Sequence, residues 1–245
     1  MIAASTICYT HGKLLGMEQA ARVIDAQLHG QAVRGAPPVP AVDCIRMLAQ
    51  LSPLDPIDVN IDVGGASLGK SRCRALDWAI RGKGDMWIAI DDDCSASPGT
   101  LGSLLTELST DTPRVISVPM IKRAPGAFQS PELNIWPIGG TPNRKLMSIE
   151  WSGFGLVGVN RPALQVISEL TQSCNFIDDD GETRPAMFHE IREKLPGASE
   201  CFWYSEDISF WKRLPASIER WALIEGESTH AGVVLELSAA LAVGQ

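Results

Sequence analysis

The segment Met86-Trp87-Ile88-Ala89-Ile90-Asp91-Asp92-Asp93 constrains the fold more than any other part of the chain. Its apolar part shows no polar alternation, the mark of a strand covered on both faces, as in parallel α/β sheets. It breaks off in three carboxylates, which places them at the strand's carboxyl end, where open α/β sheets bind ligands. Adjacent charges in an apolar interior are costly unless compensated. They are therefore either solvated in a turn or neutralised by a divalent cation, and hard cations such as Mg²⁺ and Mn²⁺ take oxygen ligands of this kind. The strand-end position favours the cation. The same tripeptide recurs in Asp178-Asp179-Asp180-Gly181 after a weaker apolar lead, and its run into glycine predicts a turn.

With 245 residues, 45% of them hydrophobic and 20% charged, the chain can bury the core of one large α/β domain. No apolar run approaches the ~20 residues that cross a bilayer. Met1-Ile2-Ala3-Ala4 lacks the basic start of a signal peptide, so the expected location is cytoplasmic. Six cysteines (Cys8, Cys44, Cys73, Cys94, Cys174 and Cys201) contain no C-x-x-C pair, which suits reduced thiols better than a zinc site or a disulfide framework. A net charge of −8 offers no footprint for nucleic acid or an anionic membrane, and it fits a site that holds cations.

Strand and helix signals alternate through the first half. Ile2–Tyr9 reads as a strand, Leu14–Leu28 as a helix, Gly35–Pro40 as a Pro-rich link and Val42–Leu51 as a second helix. Ile57–Val63 alternates as a strand does, and Ser71–Ile80 has helical spacing. Ser97 is a good N-cap before Pro98, with Leu101, Leu104, Leu105 and Leu108 as the apolar stripe. Such alternation predicts a mostly parallel sheet with crossover helices. The second half is less regular: a strand over Val115–Met120, another over Gly155–Val159 entering a helix at Asn160-Arg161-Pro162, and a helix after Ser205. The long irregular stretches 122–150 and 174–204 read as binding loops or lids.

Three further groups carry chemistry. Ser205-Glu206-Asp207 taken alone reads as an N-cap with two acids at the positive end of a helix, although either carboxylate would also serve as a general base. His230 is a candidate metal ligand, imidazole being a common one. Gly64-Gly65-Ala66-Ser67-Leu68-Gly69-Lys70-Ser71 matches the P-loop pattern to the letter and keeps a P-loop NTPase open as an alternative. Against it, the preceding strand carries polar residues and is not the first of the chain. A nucleotidyltransferase, whose Gly-Gly-x-Ser-x-Arg loop is echoed by Gly64–Arg72, and a non-catalytic sugar- or nucleotide-binding module also stay open.

In order and spacing these pieces resemble the glycosyltransferases of the GT-A fold, particularly family 2. The matching elements are the strand ending at Asp62, the helix with Ser71-Arg72-Cys73-Arg74-Ala75-Leu76 where the family has Ala-Arg-Asn-x-Ala, and the D-x-D strand end at Asp91-Asp92-Asp93. Ser152-Gly153-Phe154-Gly155 before a strand, Glu206-Asp207 and the late His230 complete the order. Cys73 departs from the usual Asn, and the first strand runs into Thr10 and His11 without the common Pro-x-Tyr/Phe ending.

The resemblance implies one GT-A-like domain over residues 1–245, with a nucleotide-binding half (1–121) and an acceptor-binding half (122–245). It implies a metal-dependent, inverting transfer of a sugar from a nucleotide-sugar, most simply a UDP-sugar, to an acceptor hydroxyl. By it, Asp62, Arg72, Asp91, Asp92 and Thr10 hold the nucleotide, while Asp91, Asp93 and His230 hold Mn²⁺ or Mg²⁺. Trp151, Gly153 and Phe154 shape the sugar and acceptor pocket. Asp207 is the base, and Glu206 orients the acceptor.

Overall fold

The computed structural model describes residues 1–7, 17–31, 33–34, 36, 39–51, 57–62, 67–120, 133–138, 145–170, 174–194, 200–230 and 233–236. Its centre is an eight-stranded sheet in the order β2-β1-β3-β8-β5-β13-β7-β6. The strands are β1 (Ile2–Ile7), β2 (Ile57–Asp62), β3 (Met86–Asp91), β5 (Arg114–Ser117), β6 (Ile135–Pro137), β7 (Leu146–Ser152), β8 (Leu156–Asn160) and β13 (Glu219–Leu223).

Alternate residues of each strand point to opposite faces, and that period builds two cores. Ile2 and Ala4 of β1 and Ile88 and Ile90 of β3 pack beneath α1 (Met17–Leu28), α2 (Pro40–Leu51) and α4 (Pro98–Leu108). Ala3, Trp87 and Ala89 point the other way, to α3 (Leu68–Arg81), α5 (Arg161–Leu170) and α6 (Glu206–Arg213). The one polar atom on Trp87 is satisfied inside that core, its indole N–H donating to Ser5 Oγ at 2.8 Å. Each large apolar side chain so buried contributes roughly 1.5–3 kcal/mol.

Local signals explain the helix ends. Ser97 Oγ accepts from Thr100 N and Pro98 opens α4, as the sequence predicts. Pro40, assigned to the irregular link, instead opens α2, because a proline at the first helical position gives up a donor that has no intrahelical acceptor there. The Asp178–Gly181 turn forms as expected: Gly181 N donates to Asp178 O at 2.9 Å, and Gly181 takes φ +82°. It joins β9 (Asn175–Ile177) to β10 (Thr183–Pro185) within the stretch read as irregular. Ser205 precedes α6, but its side chain makes no capping hydrogen bond.

The expectation of a mostly parallel sheet is corrected. Pairings β1·β2, β1·β3 and β5·β13 are parallel, whereas β3·β8, β5·β8, β13·β7 and β6·β7 are antiparallel. The fold is mixed α/β. Strand β8 is buried along its whole length, so its apolar run declared a central strand but not its direction. Among the described residues, no helix is long and apolar enough to cross a membrane.

Candidate active site

The parallel register sets Ile7, Asp62 and Asp91 level with one another at the carboxyl edge of β1, β2 and β3. Because β8 runs antiparallel to β3, its amino end meets the same edge: Asp91 N donates to Gly155 O at 2.8 Å. The amino end of α6 joins them, with Phe154 N donating to Asp207 Oδ2 at 3.3 Å. Residues 62, 91, 154, 206 and 207 are thus gathered from four separate parts of the chain.

Arg72 holds this edge together. Its side chain is 2% exposed and faces three carboxylates. It donates to both oxygens of Asp91 at 3.2 and 3.1 Å, to Glu206 Oε1 at 3.4 Å, and to Asp207 Oδ1. Its guanidinium lies 5.3 Å from the centroid of the Phe154 ring. A buried guanidinium must be paired, and these acids pair it. Arg72, expected to help hold the nucleotide, is paired here to carboxylates, and Phe154, expected to shape the sugar and acceptor pocket, is a buried ring packed on Phe188 and Phe210.

Three negative charges around one positive charge leave an anionic excess, which shows in Asp207. Burial, with Glu206 and Asp91 as like-charged neighbours, pushes its carboxyl up to about 6 in spite of Arg72 and the Phe154 amide. Asp207 does not serve its own helix as a cap; its oxygens point to Arg72 and Phe154. Asp62 is also pushed up, by burial, against a hydrogen bond with the Ser71 side chain. Its Oδ2 is buried with no hydrogen-bond partner.

Two residues past β3 the chain turns into β4 (Cys94–Ala96), which pairs antiparallel with β14 (Glu227–His230), itself paired with β15 (Val233–Glu236). His230 stands opposite Cys94 in that register. His230 Nε2 lies 3.6 Å from Asp93 Oδ2, and Asp93, Cys94 and His230 present ligand atoms within 4.8 Å of one another. A carboxylate oxygen and an imidazole nitrogen so placed form a donor set that suits a divalent cation. Asp91, expected as a third ligand, is paired to Arg72 through both its oxygens. Asp92 is buried beside them.

A cavity of about 830 Å³ opens next to Glu206, with Gly69, Phe188, His189, Glu190 and Arg192 in its walls. Gly69 lets α3 approach the Phe188 backbone, since a Cβ there would lie 2.7 Å from the Phe188 carbonyl. Trp151 stacks on the exposed Trp136, with centroids 5.7 Å apart, and Gly153 leaves room for the Asn134 side chain. Ser67 caps α3, and Lys70 Nζ is held by Asp179 at 3.0 Å; residues 64–66 of the P-loop match, and Thr10 and His11, lie outside the described residues. Sequence reasoning missed Cys94, although it directly follows the acid triplet, and it missed the cavity walls, which carry no local signal.

No protein-family model matches the chain, and no curated protein matches it. Solved structures similar to it include A197 from STIV, at TM-score 0.49 and 13% identity, covering 96% of this chain and 94% of that one. A glycosyltransferase involved in glycosylation of the major capsid of PBCV-1 follows at TM-score 0.34 and 11% identity, covering 69% and 64%. S. aureus TarS 1–349 matches at TM-score 0.38 and 11% identity, covering 91% and 60%.

Proposed function

We propose that this protein is a glycosyltransferase that moves a sugar from a nucleotide-sugar, a UDP-sugar in the first instance, to an acceptor hydroxyl with inversion. The reading is carried by one juxtaposition: an Asp93–His230 pair just past the β3 end, and a buried carboxyl, Asp207, tied through Arg72 to Asp91 at that same strand end, whose pKa of about 6 suits a general base near neutral pH. Asp93 and His230 would hold a divalent cation, which when bound stabilises the charge that develops on a departing diphosphate.

The chain's own residues supply the rest. Asp62, with a buried unpartnered oxygen at the end of β2, is suited to accept a hydroxyl of the donor. Glu206 lines the cavity and also contacts Arg72, so it can orient an acceptor standing in that cavity. Asp207 takes the acceptor's proton as its oxygen attacks the anomeric carbon from the face opposite the diphosphate. Arg72 pairs with both Asp207 and Asp91 and so can hold the two in fixed relation.

The test is a thermal-shift panel of UDP-, GDP-, CMP- and dTDP-sugars and of ATP, with and without Mn²⁺. A ligand at 100 times its Kd stabilises the folded state by ~2.7 kcal/mol. One nucleotide-sugar should raise the melting temperature more with Mn²⁺ than without, and Asp93→Asn should remove the Mn²⁺-dependent part. A shift with ATP alone would overturn the reading.

A further inference from the structure

We infer that Cys94 is the third protein ligand of the cation site, making it an Asp93–Cys94–His230 site for a borderline-soft divalent cation such as Zn²⁺ or Co²⁺ rather than a purely oxygen-lined one. This takes up the cation of the proposed function and names its ligands; it does not depend on the sugar chemistry.

The first argument is placement. Cys94 and His230 are directly opposed across β4 and β14, and opposed residues of an antiparallel pair carry their side chains on one face. The second is distance. Cys94 Sγ lies 3.6 Å from Asp93 Oδ1, and His230 Nε2 lies 3.6 Å from Asp93 Oδ2. Bonds of ~2.0 Å to N and O and ~2.3 Å to S in a tetrahedral centre set ligand atoms roughly 3.3–3.6 Å apart. Each of these two contacts, made by different oxygens of Asp93, is near that spacing, and one ligand atom from each of the three residues lies within 4.8 Å of the others. Among the described residues, no other three groups of this kind lie so close.

The third argument is chemistry. Asp91 is paired to Arg72, and the three donors that cluster at this point are one carboxylate, one thiol and one imidazole. A thiolate and an imidazole beside a carboxylate make a donor set that zinc accepts, whereas magnesium keeps to oxygen ligands. On binding, the Cys94 S–H bond breaks, a sulfur–metal bond forms and the proton leaves to solvent. The two anionic ligands then cancel the charge of the cation, which a buried location requires. His230 is the partly exposed member, so a fourth position on its side stays open to a phosphate oxygen. Cys44 and Cys73, buried in the apolar cores as Cys94 is, belong to no such cluster among the described residues.

Co²⁺ titration of the full chain tests this without any enzymatic assay. The wild type should develop visible ligand-field bands together with a near-ultraviolet thiolate-to-cobalt charge-transfer band. Zn²⁺ should abolish both, and excess Mg²⁺ should leave them in place. Cys94→Ser should lose the near-ultraviolet band and weaken Co²⁺ binding by more than about tenfold. Should that variant not fold, Cys94→Ala should lose the same band. Cobalt bound without that band, or a band that survives Cys94→Ser or Cys94→Ala, overturns the inference and leaves a hard-cation glycosyltransferase standing. Failure to bind either Co²⁺ or Mn²⁺ overturns both.

Discussion

Replacing Asp207 by Asn should stabilise the protein while removing its activity. A carboxyl moved from 3.8 to about 6 is harder to ionise in the fold than in the open chain, by about 3 kcal/mol. The folded pKa is raised, so the stability belonging to the protonated form is complete below pH 3.8 and lost as pH rises through about 6. Asparagine keeps the shape, stays neutral and can still accept from the Phe154 amide. The loss of a negative charge near the start of α6 subtracts about 0.3–1 kcal/mol. The net gain should be about 2–3 kcal/mol at pH 8 and roughly half that at pH 5. Urea unfolding of both proteins across pH 5–8 measures it. In parallel, turnover should fall by about two to four orders of magnitude with donor affinity little changed. A variant that melts lower than the wild type at pH 8 would mean that the carboxylate serves the helix end, and the reasoning would fail.

Arg72→Met should cost about 3–5 kcal/mol, because it leaves Asp91, Glu206 and Asp207 facing one another without their shared cation. The cost should be greater at pH 8.5 than at pH 6, where a proton relieves Asp207; denaturation giving equal costs would refute this. Asp178→Asn should lower stability by about 3 kcal/mol, since its fully buried carboxylate is the common partner of Arg74 and Arg184, which hold its pKa down to about 2. A melting temperature unchanged within ~1 °C would contradict that. Lys70→Ala, by contrast, should leave nucleotide binding within about threefold, because this lysine is spent on Asp179 rather than on a phosphate. Isothermal titration that finds binding abolished would revive the P-loop reading.

What the sequence made legible were the features whose cause is local. The β3 strand and its acid end, the Ser97–Pro98 start of α4 and the Asp178–Gly181 turn each follow from a few adjacent residues. The polar alternation of Ile57–Asp62, which weighed against a P-loop, has a topological cause: β2 is the edge strand of the sheet. What stayed hidden were pairings across sequence. Arg72 finds Asp91, Glu206 and Asp207 at separations of 19, 134 and 135 residues, and no local pattern announces a shared guanidinium. The direction of β8 was hidden for a related reason, since burial on both faces erases the alternation that would mark it. Cys94 was passed over because the spacing search looked for C-x-x-C, while its partners come from the preceding residue and from a strand more than 130 positions away.

The most direct test of the account is release of nucleoside diphosphate from the nucleotide-sugar that the thermal panel selects, measured with and without divalent cation. Wild-type protein should release it in a cation-dependent reaction, faster when an acceptor is supplied, with a rate that rises with pH through about 6 as Asp207 ionises. Asp93→Asn should lose the cation dependence, and Asp207→Asn should lose the acceptor-stimulated rate while still binding donor. Release that is indifferent to both substitutions, or absent for every nucleotide-sugar that binds, would contradict the central claim.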